Sequence, residues 1–294
     1  MAKRVVFSGA REVSLENFDA PRPGPSEVVV RSVYSLLSPG TERIVYNRKF
    51  EAGTGWASWV KYPFYPGYAL VGEVALCGSE VRGLSVGDRV ALRAGHACTH
   101  VVAESRCVPI PDDTSFDDAV WFALAKITFV GARAACYALG DSVLVIGAGP
   151  IGQLSARWAN AAGAQYLVVA DPFAPRLPLA TRGGASSVID SPVGDAIERV
   201  RAACGGELPR VVLDSTGNAA VFVDALRCCK KFGRVVLLGD TGTPSQQRLT
   251  HDVIQKGLTI VGAHDGHETT EWTLRTISSL FFDLVQSKRF DLEG

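Results

Sequence analysis

The chain has 294 residues, of which 47% are hydrophobic and 20% are charged, a composition typical of a globular protein with room for two domains. Its 30 basic and 30 acidic residues cancel, so the charge gives no reason to expect a nucleic acid or a membrane surface as a partner. No apolar run reaches the ~18 residues of a spanning helix, the N-terminus lacks a signal-peptide hydrophobic region, and seven scattered cysteines are typical of reduced thiols, so we expect a cytoplasmic protein.

The first part of the chain is predicted to be rich in β-strands. Alternating apolar residues and frequent turns predict strands over 28–34, 67–75 and 87–92, the last of them entered through a turn. From Ser115 the hydrophobic period becomes that of a helix, which we predict over 117–137 with Ser115 as its N-cap.

Strands and helices alternate after that point. Strands are predicted over 143–146, 166–170, 211–214, 235–238 and 258–262, with helices between them and a final helix over 269–287. This alternation predicts an α/β fold with a doubly wound parallel sheet.

A glycine pattern follows the strand at 143–146. Gly147, Gly149 and Gly152 have the G-x-G-x-x-G spacing and precede an apolar helical run, and Asp171 ends the next strand about 20 residues on. The glycines allow a tight turn, a close approach of the backbone to a pyrophosphate, and close packing of helix on strand. The order of these parts predicts a Rossmann dinucleotide site; the alternative is a tight β–α turn without a ligand.

Asp171 favours NAD as the dinucleotide. A carboxylate there can accept hydrogen bonds from both ribose hydroxyls and repels the 2′-phosphate of NADP. Arg176 leaves an alternative open, because its guanidinium can attract that phosphate, stack on the adenine or bind the ribose.

Several stretches in order along the chain resemble the medium-chain dehydrogenase/reductase superfamily. They are 38–42 (SPGTE), 66–74 (PGYALVGEV), 87–90 (GDRV), the glycine pattern, 214–217 (DSTG) and 233–239 (GRVVLLG). The resemblance implies a GroES-like, β-rich catalytic domain over 1–118, to which residues 266–294 return, and a Rossmann domain over 119–265. It also implies that the cofactor is contacted by Pro150, Ile151, Ser215, Thr216, Gly239, Asp240, Ala263 and His264.

The chain departs from the family at the zinc ligands. Zinc-dependent members carry Cys, His-Glu, and a third Cys or acid where this sequence has Pro39, Tyr68-Ala69 and the region of Phe122. Tetrahedral zinc requires at least three thiolate, imidazole or carboxylate ligands from the protein, so we predict that no metal is bound. The chain instead resembles a zinc-less branch that includes bacteriochlorophyllide-type and sugar or cyclitol dehydrogenases.

One alternative for a metal remains in the segment 93–107. His96, Cys98 and His100 are spaced two apart, and on a strand they would share one face. The lobe that carries four cysteines in many relatives is missing from this segment.

Without zinc, side chains have to move a proton and stabilise the alkoxide, and we expect them in a cleft between the domains. Lys126 lies in an apolar helix, where a lysine suits a general acid or base or an oxyanion partner, or simply has a buried stem. Thr41 is either a proton relay or a turn residue, and Glu42 either organises its loop or is catalytic. Tyr68 either faces the substrate or fills the vacant metal position, and the His264 side chain is expected near the cleft.

The substrate is predicted to be a small molecule with a bulky ring. An aromatic-rich stretch over 46–68 offers surfaces that stack on rings, although its aromatic residues can equally form a local core or a dimer contact. We therefore expect an NAD-dependent, zinc-independent oxidoreductase that interconverts a secondary alcohol and a ketone on a sugar-, cyclitol- or tetrapyrrole-like substrate. The alternatives are a quinone or enone reductase and a non-catalytic NAD-binding protein.

The strand at 258–262 is predicted to be the edge of the Rossmann sheet. An apolar, unpaired edge invites pairing, and the resemblance implies an isologous homodimer through this strand. Relatives continue beyond the point where this chain stops, so we expect it to be either naturally short or truncated.

Overall fold

Two units make up the part of the chain that the computed structural model describes, residues 1–20 and 22–293. One unit contains Met1–Ala123 and Ser278–Gln286, and the other contains Leu124–Ile277 and the chain from Ser287. Within the described residues, no helix is both long enough and apolar enough to span a membrane. The seven cysteines, which all lie in these ranges, form no disulfide.

Antiparallel β-strands are the main regular structure of the first unit, as the turn-rich sequence predicts. Its strands are β1 (Ala2–Gly9), β2 (Glu12–Phe18), β3 (Glu27–Ser35), β4 (Leu70–Cys77), β5 (Arg89–Leu92), β6 (Thr99–Ala103) and β7 (Val108–Pro109). β1 pairs with β2, and the other five form a sheet in the order β6-β3-β4-β5-β7. Alternate residues of β3, such as Val28 and Val30, are buried in its core. The strand predicted from residue 67 begins only at Leu70, because Gly67 has a left-handed φ of 98°.

Short helices complete the first unit. They are α1 (Pro39–Asn47), α2 (Gly55–Trp59) and α3 (Phe116–Ala119). Ser115 accepts a hydrogen bond from the N–H of Asp118 at 3.0 Å and caps α3, as predicted. The helix predicted over 117–137 is divided, because the N–H of Trp121 bonds to the carbonyl of Asp118, which tightens and ends the turn before α4 (Phe122–Ala135) begins.

Most of the aromatic side chains over 46–68 form a local core. Trp56 is buried with Phe7, Val45 and Val60, and further aromatic residues pack against this cluster: Tyr46, Phe50, Tyr62 and Phe64. Trp59 is 53% exposed and Tyr65 is 43% exposed. The alternative of a local core therefore holds for most of the stretch, and these two side chains are left on the surface.

The second unit contains a parallel sheet with helices on both of its faces. Its strands are β8 (Ser142–Ile146), β9 (Tyr166–Ala170), β10 (Ser187–Ile189), β11 (Val211–Asp214), β12 (Arg234–Leu237) and β13 (Thr259–Gly262), in the order β10-β9-β8-β11-β12-β13. The helices between these strands are α5 (Pro150–Ala161), α6 (Leu177–Arg182), α7 (Ile197–Ala203), α8 (Ala219–Cys228) and α9 (Asp252–Lys256). The last helix, α10 (Leu274–Gln286), begins in the second unit and belongs to the first unit from Ser278. The predicted doubly wound Rossmann sheet is confirmed, with β13 at its edge as expected.

Two differences from the predicted elements have local causes. The three-residue strand β10 was not predicted, because so short a segment shows no hydrophobic period. Helix α10 begins later than predicted, because the hydroxyl of Thr273 accepts the N–H of Thr276 at 3.3 Å and fixes a turn before the helix.

Both faces of the parallel sheet are buried, which explains its continuous apolar strands. Val143 and Val145 of β8 pack in one core, together with Ala156 of α5. Leu144 and Ile146 of the same strand pack in the opposite core. Side chains of one strand alternate between the two faces, so the helices on each side receive an apolar surface.

A buried ion pair joins the starts of two neighbouring strands in this sheet. Asp141 precedes β8 and Arg210 precedes β11; the guanidinium binds both carboxylate oxygens, and the N–H of Ala138 donates to one of them at 2.6 Å. Burial alone would raise the pKa of Asp141, but these hydrogen bonds from Arg210 and Ala138 hold it below its ordinary value of 3.8.

We predict that Asp141→Asn lowers the free energy of unfolding at neutral pH by about 1–2 kcal/mol, a moderate value because Arg210 is partly exposed. A depressed carboxyl pKa stabilises the fold above the unfolded-state pKa, and this contribution is lost as the pH falls through the folded-state value. The difference between wild type and variant in urea denaturation should therefore shrink below pH 3.8. Asp190→Asn, which removes an exposed pair with Arg199, is the matched control and should have a far smaller effect. Equal losses for the two variants would contradict the prediction.

Candidate active site

The glycine loop between β8 and α5 has the geometry of an anion cradle. Gly147 makes the turn with a left-handed φ of 94°, and a Cβ atom on Gly152 would overlap the carbonyl oxygen of Gly147. A Cβ atom on Gly149 would meet nothing within 4 Å, so open space lies beside this part of the loop. Helix α5 begins at Pro150 without a side-chain cap, which leaves its first N–H groups available to a ligand.

Asp171 lies beside this loop, directly after β9. Its carboxylate accepts the N–H of Ala148 and the N–H of Phe173, each at 2.7 Å, and the residue is only 5% exposed. Arg176 approaches the same carboxylate at 3.4 Å, and its guanidinium carbon lies 5.2 Å from the ring centroid of Phe173. The carboxylate oxygen that accepts the N–H of Phe173 can accept a second hydrogen bond, so the acid can both support the loop and bind a hydroxyl.

The other residues predicted at the cofactor follow β11, β12 and β13. Ser215 donates its hydroxyl to the carbonyl of Ile146 at 2.8 Å and touches the glycine loop. Thr216 donates to Asp214, a buried acid whose pKa is raised by burial despite these hydrogen bonds. A Cβ atom on Gly239 would overlap the backbone of the loop after β11. Because parallel strands end at one edge of the sheet, these loops gather beside the glycine loop.

Asp240 and Ala263 complete the predicted set in the same region. The carbonyl of Asp240 lies next to Gly217, where a Cβ atom would approach it to 2.7 Å. The N–H of Ala263 donates to the carbonyl of Leu237 at 3.0 Å and continues the pairing of β12 with β13. The structure thus brings together the predicted cofactor residues at one edge of the second unit.

Lys126 is not a solitary lysine in an apolar helix. Its ammonium group donates to the Asp265 carboxylate at 2.8 Å and to the Asp265 carbonyl, and it lies 3.0 Å from the Glu268 carboxylate. The residue is 4% exposed, and an ammonium group has three hydrogens to donate. Lys126 therefore holds the loop over 263–268, which sequence reasoning missed because its partners lie far along the chain.

His264 has a local task in that loop. His264 is exposed, and its Nδ1 atom accepts a hydrogen bond from the N–H of Gly266 at 3.0 Å. The N–H of His267 donates to the His264 carbonyl at 2.9 Å. The His264 ring therefore stabilises a turn in the structure; a role toward a ligand stays a prediction.

A second polar cluster lies in the first unit, where α1 begins. Ser38 precedes α1 and is 5% exposed; its N–H donates to the Glu42 carboxylate at 2.8 Å, and its hydroxyl accepts the hydroxyl hydrogen of Tyr68 at 2.5 Å. Thr41 lies half-buried in the first turn of α1. The structure thus brings Glu42 and Tyr68 to opposite sides of Ser38, a residue that the sequence did not single out as functional.

His96 belongs to this cluster. Its Nε2 atom lies 3.1 Å from the Glu42 carboxylate, and its Nδ1 atom lies 2.8 Å from the hydroxyl of Ser35. The expectation that His96, Cys98 and His100 share a strand face was wrong, because β6 begins only at Thr99. Across residues 1–20 and 22–293, no group of three or more His, Cys, Asp or Glu side chains is arranged to hold a metal ion.

The residues at the family's zinc-ligand positions have other contacts. Pro39 is the first residue of α1, and Ala69 and Phe122 are fully buried apolar side chains. Tyr68 supplies a phenol oxygen that bonds to Ser38. None of these four offers the thiolate, imidazole or carboxylate that zinc prefers.

Comparison with known proteins places this geometry in a family. The model of the alcohol dehydrogenase GroES-like domain matches residues 24–116, and the model of the zinc-binding dehydrogenase family matches residues 150–279. L-threonine 3-dehydrogenase of Symbiobacterium thermophilum is 30% identical, with 85% of this chain and 78% of that protein covered. Human sorbitol dehydrogenase is 28% identical, over 86% of this chain and 78% of its own length.

The fold agrees with solved structures of the same kind. A zinc-binding dehydrogenase from Sinorhizobium meliloti, solved with NADP bound, superposes with a TM-score of 0.83 at 21% identity and covers 99% of this chain and 90% of its own. The two family models together span both units, and the similarity to the threonine dehydrogenase extends across them. The chain therefore belongs to the medium-chain dehydrogenase/reductase superfamily of alcohol dehydrogenase-type oxidoreductases.

Proposed function

We propose that this protein is a zinc-independent oxidoreductase that uses NAD to interconvert a secondary alcohol and a ketone on a bulky cyclic substrate. One observation carries the proposal. The loops that can hold a dinucleotide are complete in the second unit, whereas the zinc-ligand positions carry Pro39, Tyr68, Ala69 and Phe122. The chain therefore retains a cofactor site and has replaced the metal ligands with residues of different chemistry.

The dinucleotide is proposed to lie along the carboxyl edge of the parallel sheet. Gly149 and the start of α5 would receive the pyrophosphate, and Asp171 would accept hydrogen bonds from the ribose hydroxyls. When bound, the nicotinamide supplies or accepts the hydride. Negative charge on Asp171 supports NAD over NADP, although Arg176 stands close enough to compete for the phosphate.

Lys126 is proposed to act on the loop over 263–268. Its contacts with Asp265 and Glu268 hold that loop, which is the segment expected to bind the carboxamide of the cofactor. Because the three hydrogens of the Lys126 ammonium group point to acceptors in this loop, Lys126 is a poor proton donor to a substrate. We therefore assign the handling of the proton to the cluster in the first unit, which contains Tyr68, Ser38 and Glu42.

The proposed substrate class rests on the exposed aromatic residues and on the relatives. Trp59 is exposed and packs against Trp56 and Phe64 of the aromatic core, so it offers an aromatic surface to a ring. Tyr65 is also exposed, although the guanidinium carbon of Arg4 lies 4.1 Å from its ring centroid. Sorbitol dehydrogenase, whose name specifies a polyol, and threonine dehydrogenase, whose name specifies a hydroxy amino acid, are similar along the chain. Together these observations support a hydroxylated substrate with a ring.

We predict turnover of NAD with cyclic secondary alcohols, or of NADH with cyclic ketones, that is unchanged by chelators. Elemental analysis of the purified protein should find far less than one zinc per chain, because the ligand positions hold no suitable atoms. Stoichiometric zinc together with chelator-sensitive activity would contradict zinc independence. Reduction of enones or quinones alone would instead establish the reductase alternative, and cofactor binding without any turnover would establish a non-catalytic protein.

We predict that NADH binds at least about tenfold more tightly than NADPH, a difference near 1.4 kcal/mol. The physical reason is repulsion between the Asp171 carboxylate and the 2′-phosphate. Fluorescence titration of both reduced cofactors measures the ratio, and Asp171→Asn should reduce it by removing the charge. Tighter binding of NADPH by the wild type would mean that Arg176 determines the choice.

We predict that Gly149→Ala weakens NADH binding by about tenfold or more and leaves thermal stability nearly unchanged. Its new Cβ atom would meet no protein atom within 4 Å, but it would enter the space assigned to the pyrophosphate. Gly55→Ala, where a Cβ atom also meets nothing within 4 Å, is the control and should bind NADH normally. Normal binding by the Gly149 variant would show that the pyrophosphate lies elsewhere.

A further inference from the structure

Five polar residues of the first unit form one hydrogen-bonded chain, here named the hydroxyl network, in which the backbone N–H of Ser38 makes the link to the Glu42 carboxylate. It runs from Ser35 through His96 and Glu42 to Ser38 and ends at Tyr68. Its consecutive distances are 2.8 Å, 3.1 Å, 2.8 Å and 2.5 Å. Tyr68, at one end, occupies a position where zinc-dependent relatives carry a metal ligand.

Burial makes the arrangement of this network specific. Glu42, His96 and Ser38 are 7%, 8% and 5% exposed, so each polar atom that lost its hydrogen bond would be left without water. An ionised carboxylate only accepts hydrogen bonds, so the hydrogen shared with Glu42 lies on Nε2 of His96. In the neutral ring the Nδ1 atom then accepts the hydroxyl hydrogen of Ser35. The buried carboxylate thereby fixes both His96 and the backbone of Ser38.

The backbone around His96 is held from two sides. The N–H of His96 donates to the carbonyl of Pro66, and its carbonyl accepts the N–H of Val5, both at 2.9 Å. The ring packs on Gly67, where a Cβ atom would lie 2.8 Å from it. Because Gly67 precedes Tyr68, the position of the His96 ring also restricts the backbone that carries the phenol.

The contacts of Tyr68 suit a group that gives up a proton. Its hydroxyl donates to the hydroxyl of Ser38 at 2.5 Å. A hydroxyl hydrogen can rotate, so Tyr68 can turn its O–H to a substrate oxygen and accept the hydrogen of Ser38 instead. The guanidinium carbon of Arg93 lies 4.8 Å from the centroid of the Tyr68 ring. A cation at that distance stabilises negative charge that develops on the phenol.

We infer that Tyr68 donates the proton to the substrate oxygen during ketone reduction and that Ser38, Glu42, His96 and Ser35 position it. This inference rests on the proposed function. A bound, reduced nicotinamide would supply the hydride to the carbonyl carbon. As the carbonyl π electron pair moves to the oxygen, the O–H proton of Tyr68 passes to that oxygen, which leaves Tyr68 as a phenolate. The phenolate accepts a hydrogen bond from Ser38 and is reprotonated by water; alcohol oxidation follows the reverse path.

The first test is a double-mutant cycle with NADH and the cyclic ketone that the wild type reduces fastest. Tyr68→Phe should lower kcat on the order of 10²-fold, and His96→Asn should lower it by about tenfold, with KM and NADH affinity changed by no more than about threefold. In the Tyr68→Phe background, His96→Asn should have almost no further effect on kcat. An equal loss in both backgrounds would overturn the positioning role.

The matched control is His100→Asn. The Nε2 atom of His100 is buried without a hydrogen-bond partner among the described residues, so this control removes a buried imidazole outside the network. It should leave kcat unchanged. Glu42→Gln keeps the size of the side chain and removes its charge, and it serves as a second test of positioning if His96→Asn does not fold. A loss of kcat in His100→Asn as large as in His96→Asn would overturn the inference.

The second test does not depend on turnover. The tyrosines of the protein are labelled with a carbon isotope at the Cζ atom and observed by NMR. The signal that disappears in the Tyr68→Phe variant is assigned to Tyr68. Ser38→Ala and His96→Asn should move that signal, and His100→Asn should not. A signal that does not move in these variants would overturn the network. A wild type that reduces no ketone would refute the proposed function whatever the NMR result, whereas an active enzyme that is unaffected by Tyr68→Phe would refute only this inference.

Discussion

A buried ionic group has to be surrounded by hydrogen-bond partners, and this constraint organises the polar clusters of both units. In the first unit the Glu42 carboxylate fixes the start of α1 through Ser38 and holds the ring of His96. In the second unit the Lys126 ammonium holds the loop after β13 through Asp265 and Glu268. Each of these groups therefore helps to order the segment that it contacts.

In the proposed zinc-independent mechanism, the phenol of Tyr68 in the polar cluster of the first unit acts in place of a metal ion. A metal would polarise the substrate oxygen directly, whereas a phenol provides a proton and only one hydrogen bond. Its catalytic effect depends on orientation, which the bond to Ser38 and the Glu42–His96 pair supply. When a hydroxyl binds the substrate oxygen in place of a metal, the orientation of that hydroxyl becomes the main requirement for catalysis.

The sequence predicted those features that depend on local patterns. The parallel sheet follows from alternating apolar strands and helices, and the glycine loop with Asp171 follows from spacing alone. The partners of Lys126 and the pairing of His96 with Glu42 could not be predicted, because folding joins residues that are distant in the chain. His96 and Cys98 were wrongly expected on a strand for a related reason: the backbone of His96 bonds to Pro66 and Val5, so β6 starts after both residues.

The most direct test of the central claim is a crystal structure with NADH and an unreactive amide analogue of the cyclic substrate. The amide oxygen stands in for the ketone oxygen that receives the proton. We predict that this oxygen lies within hydrogen-bonding distance of the Tyr68 hydroxyl, with the Ser38 and Glu42 contacts retained. An amide oxygen bound to a metal ion, or to Lys126 with Tyr68 out of reach, would contradict the claim.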